Sequence, residues 1–238
     1  MNQYFSIAPS ERRFPDVDLS DDDAIAEQTK IIRSLVRREA RPGAVAFDLG
    51  SGEGRVVRVL AQEGFRVYGC EIDPARAESA RQIESVCVQV GDVIDWKPPG
   101  KADVVTCIEL IEHLRPGDQK RLLDLIRSWL KPAGALVLST PQRYSAVSII
   151  ELAYAALRRQ RYTWWDETHV SILRQKQLLH LLRECGFEVH ESVGYHLVPD
   201  LFAARIPILR GFQRRAHYGK LKNIAFDLVY LARAVEQT

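Results

Sequence analysis

The sequence predicts an α/β fold in which helices cover a mostly parallel sheet. Helical and strand patterns alternate from about Asp21 onward in the 238-residue chain, without low-complexity linkers or a detectable repeat. An apolar strand also runs into a glycine turn within residues 44–54, an arrangement typical of the carboxyl edge of a parallel sheet. Hydrophobic residues make up 46% of the chain and charged residues 27%, so a substantial core can be buried.

Helices are predicted between the first six of seven predicted strands. The first helix spans about residues 21–40, because three aspartates at 21–23 suit a helix N-terminus and Pro42-Gly43 suits its end. Further helices are predicted to begin near Gly54, Pro74, Pro116 and Gln175. The predicted strands are residues 45–49, 66–71, 85–90, 103–108, 135–139, 187–193 and 227–233. A turn at 131–134 leads into the fifth strand, and a helical insert is predicted between 196 and 223.

Composition excludes several classes of protein. The formal net charge is +2, from 33 basic and 31 acidic residues, so no overall field favours nucleic acid as a partner. The first residues lack an apolar stretch of signal-peptide length. The longest mostly apolar stretch, 146–157, is interrupted by Glu151 and is too short to span a bilayer, so a cytoplasmic protein is predicted. The four cysteines show no Cys-x-x-Cys pairing and are expected to pack as apolar groups.

The glycine turn describes a site for a nucleoside cofactor. It reads Gly50-x-Gly52-x-Gly54, with Asp48 two residues ahead and the acidic Glu71 at the end of the next predicted strand. Glycines let the backbone approach a ligand without a Cβ, and the following helix directs free amides at it. A carboxylate at the next strand end can chelate a ribose diol. In the dinucleotide fingerprint the third glycine comes one residue later, so this spacing favours S-adenosyl-L-methionine over NAD.

Further motifs follow in a fixed order along the chain. They are Gly69-Cys-Glu71-Ile-Asp, Gly91-Asp92-Val-Ile-Asp-Trp96, and the stretches 103–113, 130–141 and 179–189. With the glycine turn they cover roughly residues 40–195 and resemble the class I S-adenosylmethionine-dependent methyltransferases. The stretch Thr-Cys-x-Glu-x-x-Glu-His, which ends at His113, is similar to that of ubiquinone-biosynthesis-type O-methyltransferases.

The resemblance implies a fold and a domain organisation. The fold is a doubly wound, Rossmann-like methyltransferase fold, whose seven-stranded, mostly parallel sheet has an antiparallel last strand. Residues 1–238 would form a single methyltransferase domain. Its cap helix at about 21–40 would cover the cofactor pocket, and inserts are expected at about 144–169 and 196–226.

The resemblance also implies which residues contact the cofactor. Asp48 would help hold the methionine ammonium, and Glu71 would take both ribose hydroxyls through charge-assisted hydrogen bonds. Asp92 would bind the adenine amino group between the apolar walls Ile72 and Val93. The full set implied is Asp48, Gly50, Ser51, Gly52, Gly54, Glu71, Ile72, Asp92, Val93 and Glu109.

Two histidines are candidates for a catalytic base. Methyl transfer from a sulfonium is an in-line displacement, and it needs a base when the acceptor is a hydroxyl. His113 follows the fourth strand, whose tip faces the methyl group in this fold, and His169 ends the segment 164–169 before the helix that leads to strand six. Either side chain can accept a proton near neutral pH. The alternative is that each histidine only orders its own loop.

Metal binding is a second use of the same region. Glu109, Glu112 and His113 share one face if the loop turns helically, and His169 is a distant fourth ligand. Some small-RNA 3′-terminal 2′-O-methyltransferases resemble this arrangement, and such a site would activate a vicinal diol or catechol. Many metal-free relatives resemble it too, with the acid after strand four lining the cofactor pocket. The site is therefore predicted without a metal.

Two segments are predicted to define the acceptor. Residues 148–157 are apolar and lead into arginines and the pair Trp164 and Trp165, which suit a planar or anionic acceptor. The alternative for the apolar half is a helix packed on the core for stability. Residues 201–226 carry arginines and lysines with no acid among them. Such a basic amphipathic surface can lie on an anionic membrane, hold a phosphorylated or glycan acceptor, or form a solvated insert.

The predicted function is O-methylation of a small hydroxylated molecule such as a quinone precursor, a lipid-linked compound or a sugar. A small-molecule acceptor is favoured over nucleic acid, and peripheral membrane contact through 201–226 is one alternative for that segment. Three other functions stay open: a metal-dependent RNA 2′-O-methyltransferase, a non-catalytic methyltransferase-like binding protein, and an NAD-dependent oxidoreductase, which the glycine spacing disfavours. The oligomeric state does not follow from the sequence.

Overall fold

The computed structural model of the protein describes residues 22–157, 159, 168–198 and 216–235. Seven strands are present in these ranges: β1 (Val45–Leu49), β2 (Arg66–Glu71), β3 (Val86–Val90), β4 (Ala102–Ile108), β5 (Leu130–Pro141), β6 (Phe187–Tyr195) and β7 (Asp227–Ala234). They form one sheet in the order β3-β2-β1-β4-β5-β7-β6. β7 is antiparallel to both neighbours, and the other pairs are parallel. The predicted mostly parallel, seven-stranded fold with an antiparallel last strand is confirmed.

The same ranges contain six α-helices, one before β1 and five after it. They are α1 (Asp22–Val36), α2 (Arg55–Gln62), α3 (Pro74–Arg81), α4 (Pro116–Trp129), α5 (Ala146–Leu157) and α6 (Gln175–Glu184). Short 3-10 helices span Arg37–Glu39, Ile111–His113 and Gly219–Ile224. α3 and α4 each begin at a proline, whose missing N–H is not needed in a first helical turn. The predicted helix starts therefore agree with the structure to within one residue.

The sheet has a hydrophobic core on each side. Neighbouring strand residues point to opposite faces, so Ala46 packs with the α1 and α2 side, where Ile32 is buried, and Phe47 packs with the α4 side. On that second side Phe47 and Trp96 meet edge to face, with ring centroids 5.3 Å apart, and Trp96 and Trp129 do so at 5.5 Å. Because both faces are covered, strands β1 and β4 are almost fully buried.

The amino edge of the sheet is fixed by a buried aspartate. Asp103, at the start of β4, accepts hydrogen bonds from Arg41, from the Nζ atom of Lys131 at 2.7 Å and from the N–H of Val45 at 2.8 Å. Burial alone would raise the pKa of Asp103, but these bonds outweigh it and leave the pKa below its usual value. This carboxylate is therefore fully used by the fold.

Two details differ from the predictions, and a third prediction is only partly covered by the described residues. β5 begins at Leu130 and not at residue 135. The predicted turn at 131–134 lies within this strand, where the pairing with β4 is irregular and Ala133 has a φ of +60°. Cys87 is exposed, because the edge strand β3 turns it to solvent, so it does not pack in the core. The predicted helical insert before β7 is described only in part, as the 3-10 helix Gly219–Ile224. Residues 199–215 lie outside the described ranges.

A search of the described helices for a membrane span found no helix with the required length and apolar character.

Candidate functional site

The glycine turn after β1 forms a cradle at the carboxyl edge of the sheet. Gly50, Gly52 and Gly54 have φ angles of +67°, +53° and +93°, a backbone region that other residues rarely adopt. A Cβ on Gly54 would lie 2.6 Å from Cδ1 of Ile83 and 2.9 Å from Cα of Ala80, so the helix-to-helix contact there requires a glycine. α2 begins at the next residue, and its unpaired first-turn amides lie at the same edge.

Glu71 ends β2 beside this turn and is only 4% exposed. Its Oε2 accepts a hydrogen bond from the N–H of Gly52 at 2.7 Å, and its Oε1 accepts one from the N–H of Asp73 at 2.9 Å. A carboxylate offers about four acceptor sites. Both oxygens therefore keep capacity for the two hydroxyls of a ribose diol, and the backbone amides fix their position.

Ser51 packs between β1 and β2. Its Oγ donates to the carbonyl oxygen of Asp48 at 3.0 Å, and its N–H donates to the carbonyl oxygen of Cys70 at 3.2 Å. A Cβ on Gly69 would lie 2.3 Å from that Oγ, so the serine fits only against a glycine. These contacts give Ser51 a structural role at the strand junction, and its contact with a cofactor stays a prediction.

Asp48 is buried, with an exposed fraction of 1%. Its Oδ1 accepts from Oγ1 of Thr106 at 2.5 Å, whereas Oδ2 has no hydrogen-bond partner among the described residues. Burial raises the pKa of Asp48 to about 7, against the opposing effects of the Thr106 bond and the Arg55 charge. A positively charged ligand group would therefore be stabilised here by an oxygen that is otherwise unpaired.

Asp92 follows β3 at the same edge. The N–H of Gly91 donates to the carbonyl oxygen of Glu71 at 2.9 Å, which places the two acidic residues on adjoining chain segments. Asp92 is exposed, and its Oδ1 accepts from the N–H of Ile94 at 2.9 Å. Of the two predicted apolar walls, Ile72 is 46% exposed, whereas Val93 is 6% exposed and belongs to the core.

Glu109 leaves β4 with a left-handed backbone, at a φ of +49°. Its N–H donates to the carbonyl oxygen of Ser139 at 3.2 Å and to Oγ of Ser139 at 3.1 Å. Its Oε1 accepts from that Oγ at 2.5 Å and from Nε2 of Gln28 at 3.1 Å. The left-handed residue breaks the helical spacing that the metal hypothesis assumed. Serine and glutamine hold Glu109, whose side chain still interacts with that of Glu112.

Glu112 is fully buried in the 3-10 helix Ile111–His113. Neither carboxyl oxygen has a partner with full hydrogen-bond geometry among the described residues, although the side chains of Glu109 and Thr140 are close enough to influence its pKa. Its carbonyl oxygen accepts from the N–H groups of Val170 and Ser171 at 3.0 and 2.9 Å. Burial raises the pKa of both Glu112 and Glu109, and the charge of Glu112 raises that of Glu109 further. An unpaired buried carboxylate of this kind is costly and is characteristic of ligand sites.

The two predicted histidines lie together beside Glu112. The ring centroids of His113 and His169 are 4.9 Å apart, and Nδ1 of His113 lies 3.2 Å from the carbonyl oxygen and 3.0 Å from Oγ1 of Thr168. One ligand atom from each of Glu112, His113 and His169 lies within 4.8 Å of the others. His169, expected to be a distant fourth ligand, thus lies beside Glu112 and His113, whereas Glu109 does not belong to this group of three.

Gln28 was not found from the sequence, although it joins several parts of the site. It is 4% exposed, and its Nε2 lies 2.5 Å from the hydroxyl of Tyr195, 3.1 Å from Oε1 of Glu109 and 3.4 Å from Oγ of Ser139. Its Oε1 accepts from Nη2 of Arg55 at 2.5 Å. The signal was available, since Gln28 falls within the apolar stripe of α1, four residues before the buried Ile32.

A second missed pair is His196 with Asp227. Nδ1 of His196 lies 3.3 Å from Oδ2 of Asp227, and both residues are buried. Asp227 pairs with Pro141 in the sheet, close enough to Glu109 for its negative charge to help raise the pKa of Glu109. Only the antiparallel placement of β7 creates this proximity.

The predicted acceptor segments are described in part. Tyr144 is 51% exposed, and the guanidinium carbons of Arg174 and Arg143 lie 4.9 and 6.0 Å from its ring centroid. Trp164 and Trp165 lie outside the described residues, as do the arginines of 201–215.

The sequence matches a family described as a methyltransferase domain over residues 25–192. A ubiquinone biosynthesis O-methyltransferase of Xanthomonas campestris is 28% identical over 179 residues, covering 72% of this chain and 74% of the relative. The magnesium protoporphyrin IX methyltransferase of Synechocystis, solved with S-adenosylhomocysteine, has a TM-score of 0.65 at 16% identity, covering 92% of this chain and 88% of that one.

A further solved structure is the 1,6-didemethyltoxoflavin-N1-methyltransferase of Burkholderia thailandensis, with 1,6-didemethyltoxoflavin and S-adenosylhomocysteine bound. Its TM-score is 0.59 at 19% identity, and the match covers 92% of this chain and 82% of that one. At such identities the structural likeness shows the fold. Because the family match spans well over half of the chain, the protein belongs to the methyltransferase domain family.

Proposed function

We propose that the protein transfers a methyl group from S-adenosyl-L-methionine to a hydroxyl oxygen of a small molecule. The observation that carries this proposal is the set of acidic side chains at successive strand ends around the glycine turn, with Glu71 held by two backbone amides. The relatives named ubiquinone biosynthesis O-methyltransferase support oxygen as the acceptor atom. Structural neighbours solved with the cofactor or its demethylated product support the same donor.

Each part of the cofactor has a matching group. The ribose diol would bind the two oxygens of Glu71, and the adenine amino group would bind Asp92, with Ile72 against the ring. The ammonium of the methionine end would bind the unpaired Oδ2 of Asp48. The free amides at the start of α2 would face the methionine carboxylate.

The reaction needs alignment and removal of one proton. The acceptor oxygen attacks the methyl carbon in line with the departing sulfur, and the hydroxyl proton leaves the acceptor during or before that attack. His113 and His169 are the proposed proton acceptors, and the contact of His113 with Thr168 fixes the orientation of its ring.

The same cluster supports binding of a divalent cation by this site. Glu112 supplies a buried, unpaired carboxylate, and His113 and His169 supply nitrogen ligands, a set that suits zinc or manganese. Such an ion, when bound, lowers the pKa of a coordinated hydroxyl. Glu112, His113 and His169 would then all act as ligands, and the carboxylate of Glu112 would balance part of the charge of the ion. Acceptors with neighbouring hydroxyls would fit this arrangement.

The first prediction concerns the donor site. Replacing Glu71 by alanine removes both ribose contacts, so S-adenosylhomocysteine should bind roughly tenfold to a hundredfold more weakly, as expected for charge-assisted hydrogen bonds. Isothermal titration calorimetry measures this change. Glu78→Ala, on the exposed surface of α3, is the matched control and should bind normally. Failure of the unmodified protein to bind either S-adenosylmethionine or its product would sink the proposal.

The second prediction concerns the acceptor. With labelled S-adenosylmethionine, methyl transfer should be seen to hydroxylated aromatic compounds, most strongly to those with neighbouring hydroxyls. Synthetic RNA with a free 3′ terminus should be a poor acceptor, since no overall positive field draws it to the protein. Efficient transfer to RNA and none to small hydroxylated compounds would replace this acceptor class by the nucleic-acid one.

The third prediction uses the raised pKa of Asp48. A carboxyl whose folded pKa is raised stabilises the fold while protonated, and that contribution is lost as the pH rises from the unfolded value near 4 to about 7. Asp48→Asn removes this dependence. Without ligand, the variant should therefore melt at a higher temperature than the parent at pH 8, whereas the two should be similar at pH 4.

The same substitution should weaken S-adenosylhomocysteine binding at pH 8, because the ammonium loses its charged partner. Asp124→Asn, at a half-exposed position, is the control and should change neither property. An Asp48→Asn protein that melts below the parent at pH 8, or that binds as tightly, would contradict the role given to Asp48.

The fourth prediction concerns the cation. Calorimetric titration of Mg²⁺, Mn²⁺ or Zn²⁺ in the presence of S-adenosylhomocysteine should show saturable binding for at least one ion. Glu112→Gln and His169→Ala should each abolish it, because each removes one of three ligands. His180→Ala, at an exposed position on α6, should leave it intact. Absence of saturable binding in the unmodified protein would leave the histidines as proton acceptors and remove the cation.

A further inference from the structure

The outward face of α5 is apolar along its whole length. Ile149 is 58% exposed, Leu152 is 46% exposed and Leu157 is 82% exposed. Ile150, Ala153 and Ala156 are exposed on the same helix. With 100° of rotation per residue, these six positions fall on one side of the helix. No charged side chain interrupts that side.

The polar side chains of α5 face the protein instead. Ser148 is 2% exposed and Glu151 is 6% exposed, beside the buried Val147 and Ala155. Oγ of Ser148 lies 2.7 Å from Oγ of Ser145, which ties the buried side to the preceding turn. A surface helix in contact with water has the opposite arrangement, with its apolar stripe facing the core. The outward face of α5 is therefore suited to an apolar environment.

Positive charges lie at both ends of this face. Arg143 and Arg174 lie against the half-exposed Tyr144 just before the helix. Arg159 is exposed just after it. An apolar strip between cationic ends is complementary to a lipid bilayer, whose interior is apolar and whose headgroups can be anionic.

A second element adds exposed apolar side chains next to the outward face of α5. The 3-10 helix Gly219–Ile224 exposes Leu221 by 51% and Ile224 by 47%, and it carries the exposed Lys220. Nε2 of Gln142, directly before Arg143, donates to the carbonyl oxygen of Ala225 at 2.8 Å. This bond places the 3-10 helix next to the chain that leads into α5.

We propose that these two elements, together the α5 surface, dock the protein on an anionic lipid bilayer, and that the acceptor is an amphiphile held in that bilayer. The second half of the proposal rests on the proposed methyltransferase function. β5 connects the two regions directly, since its carboxyl end holds Ser139 beside Glu109 and continues through Gln142 to α5. Docking through the α5 surface would bring the lipid headgroups towards the part of the site that contains Glu112, His113 and His169.

The charges favour lipid over a second copy of the chain. Antiparallel pairing of two α5 helices would bring Arg143 and Arg174 of one copy towards Arg159 of the other. Repulsion between these cations would oppose the pairing. A stable dimer also needs about 800 Å² from each partner, more than one helix face of 12 residues supplies. An amphipathic helix in the plane of a membrane needs only to bury its apolar side about 5–10 Å into the interface.

Vesicle cosedimentation of the full chain tests the docking. The protein should pellet with phosphatidylcholine vesicles that contain phosphatidylglycerol, and much less with phosphatidylcholine alone. The double variant Ile149→Glu with Leu152→Glu should lose this binding, because it puts charge on the apolar face. Neutralising Arg143 or Arg174 to glutamine should weaken it by roughly fivefold each. Val235→Glu, an exposed apolar position at the opposite sheet edge, is the matched control and should bind as the parent does.

Two results would overturn the docking proposal. One is a parent protein that does not pellet with the anionic vesicles, and the other is a double variant that pellets as well as the parent. Sedimentation velocity adds a third, since a parent dimer that the double variant converts to a monomer, without vesicle binding, assigns the surface to a second copy. Calorimetry with S-adenosylhomocysteine on the same samples separates the two proposals. Cofactor binding without vesicle binding removes only the docking, whereas vesicle binding without cofactor binding removes the methyltransferase function.

Discussion

Burial of carboxyl groups at one edge of the sheet constrains the whole site. Parallel strands β1, β2 and β4 end side by side, so Asp48, Glu71 and Glu109 reach the same edge. An ionised carboxylate without partners is costly to remove from water. The protein meets this cost differently at each position. Backbone amides hold Glu71, a threonine hydroxyl and a raised pKa accommodate Asp48, and serine and glutamine hold Glu109.

Few positive charges offset these groups within the described part of the chain, and the arginine at the start of α2 is central among them. Nη2 of Arg55 donates to Oε1 of Gln28, Nη1 donates to Oγ1 of Thr29, and the Arg55 charge lowers the pKa of Asp48. Gln28 in turn reaches Glu109. α1 is therefore joined to Asp48 through Arg55 and to Glu109 through Gln28, and it helps to order this edge of the sheet. A change in the packing of α1 would alter the charge state of the edge as well as its access.

What the sequence could predict was local. The glycine turn and Glu71 are encoded within short motifs whose backbone requirements are strong, and the central strands β1 and β4 are mostly apolar runs. The pairing of His196 with Asp227 depends on the register of β7 against β6, where Tyr195 faces Asp227. Such a contact has no local signature, because it is set by how distant strands align.

The post-β4 loop shows a different limit of sequence reasoning. Helical spacing predicted that Glu109 would share a face with Glu112, but residue 109 has a left-handed backbone and the loop does not keep that spacing. The two side chains still interact, so their proximity was predicted for the wrong geometric reason. His169 was treated as distant because of its sequence separation. Two backbone hydrogen bonds, from Val170 and Ser171 to the carbonyl oxygen of Glu112, bring its segment to the loop. The sequence identified the acidic and histidine side chains that could bind a ligand, but only the fold showed that Glu112, His113 and His169 lie together.

The donor and acceptor sides of the site differ in how complete they are. On the donor side Glu71 and Glu109 have hydrogen-bond partners supplied by the protein itself. On the acceptor side Glu112 is buried without such a partner, and α5 turns apolar side chains outward. Both features raise the free energy of the protein alone. A ligand at Glu112 and an apolar phase at α5 would each lower that free energy, and because both would bind only the folded chain, each would stabilise the fold. Asp48 follows the same rule on the donor side, since its unpaired Oδ2 would be stabilised by a positively charged ligand group.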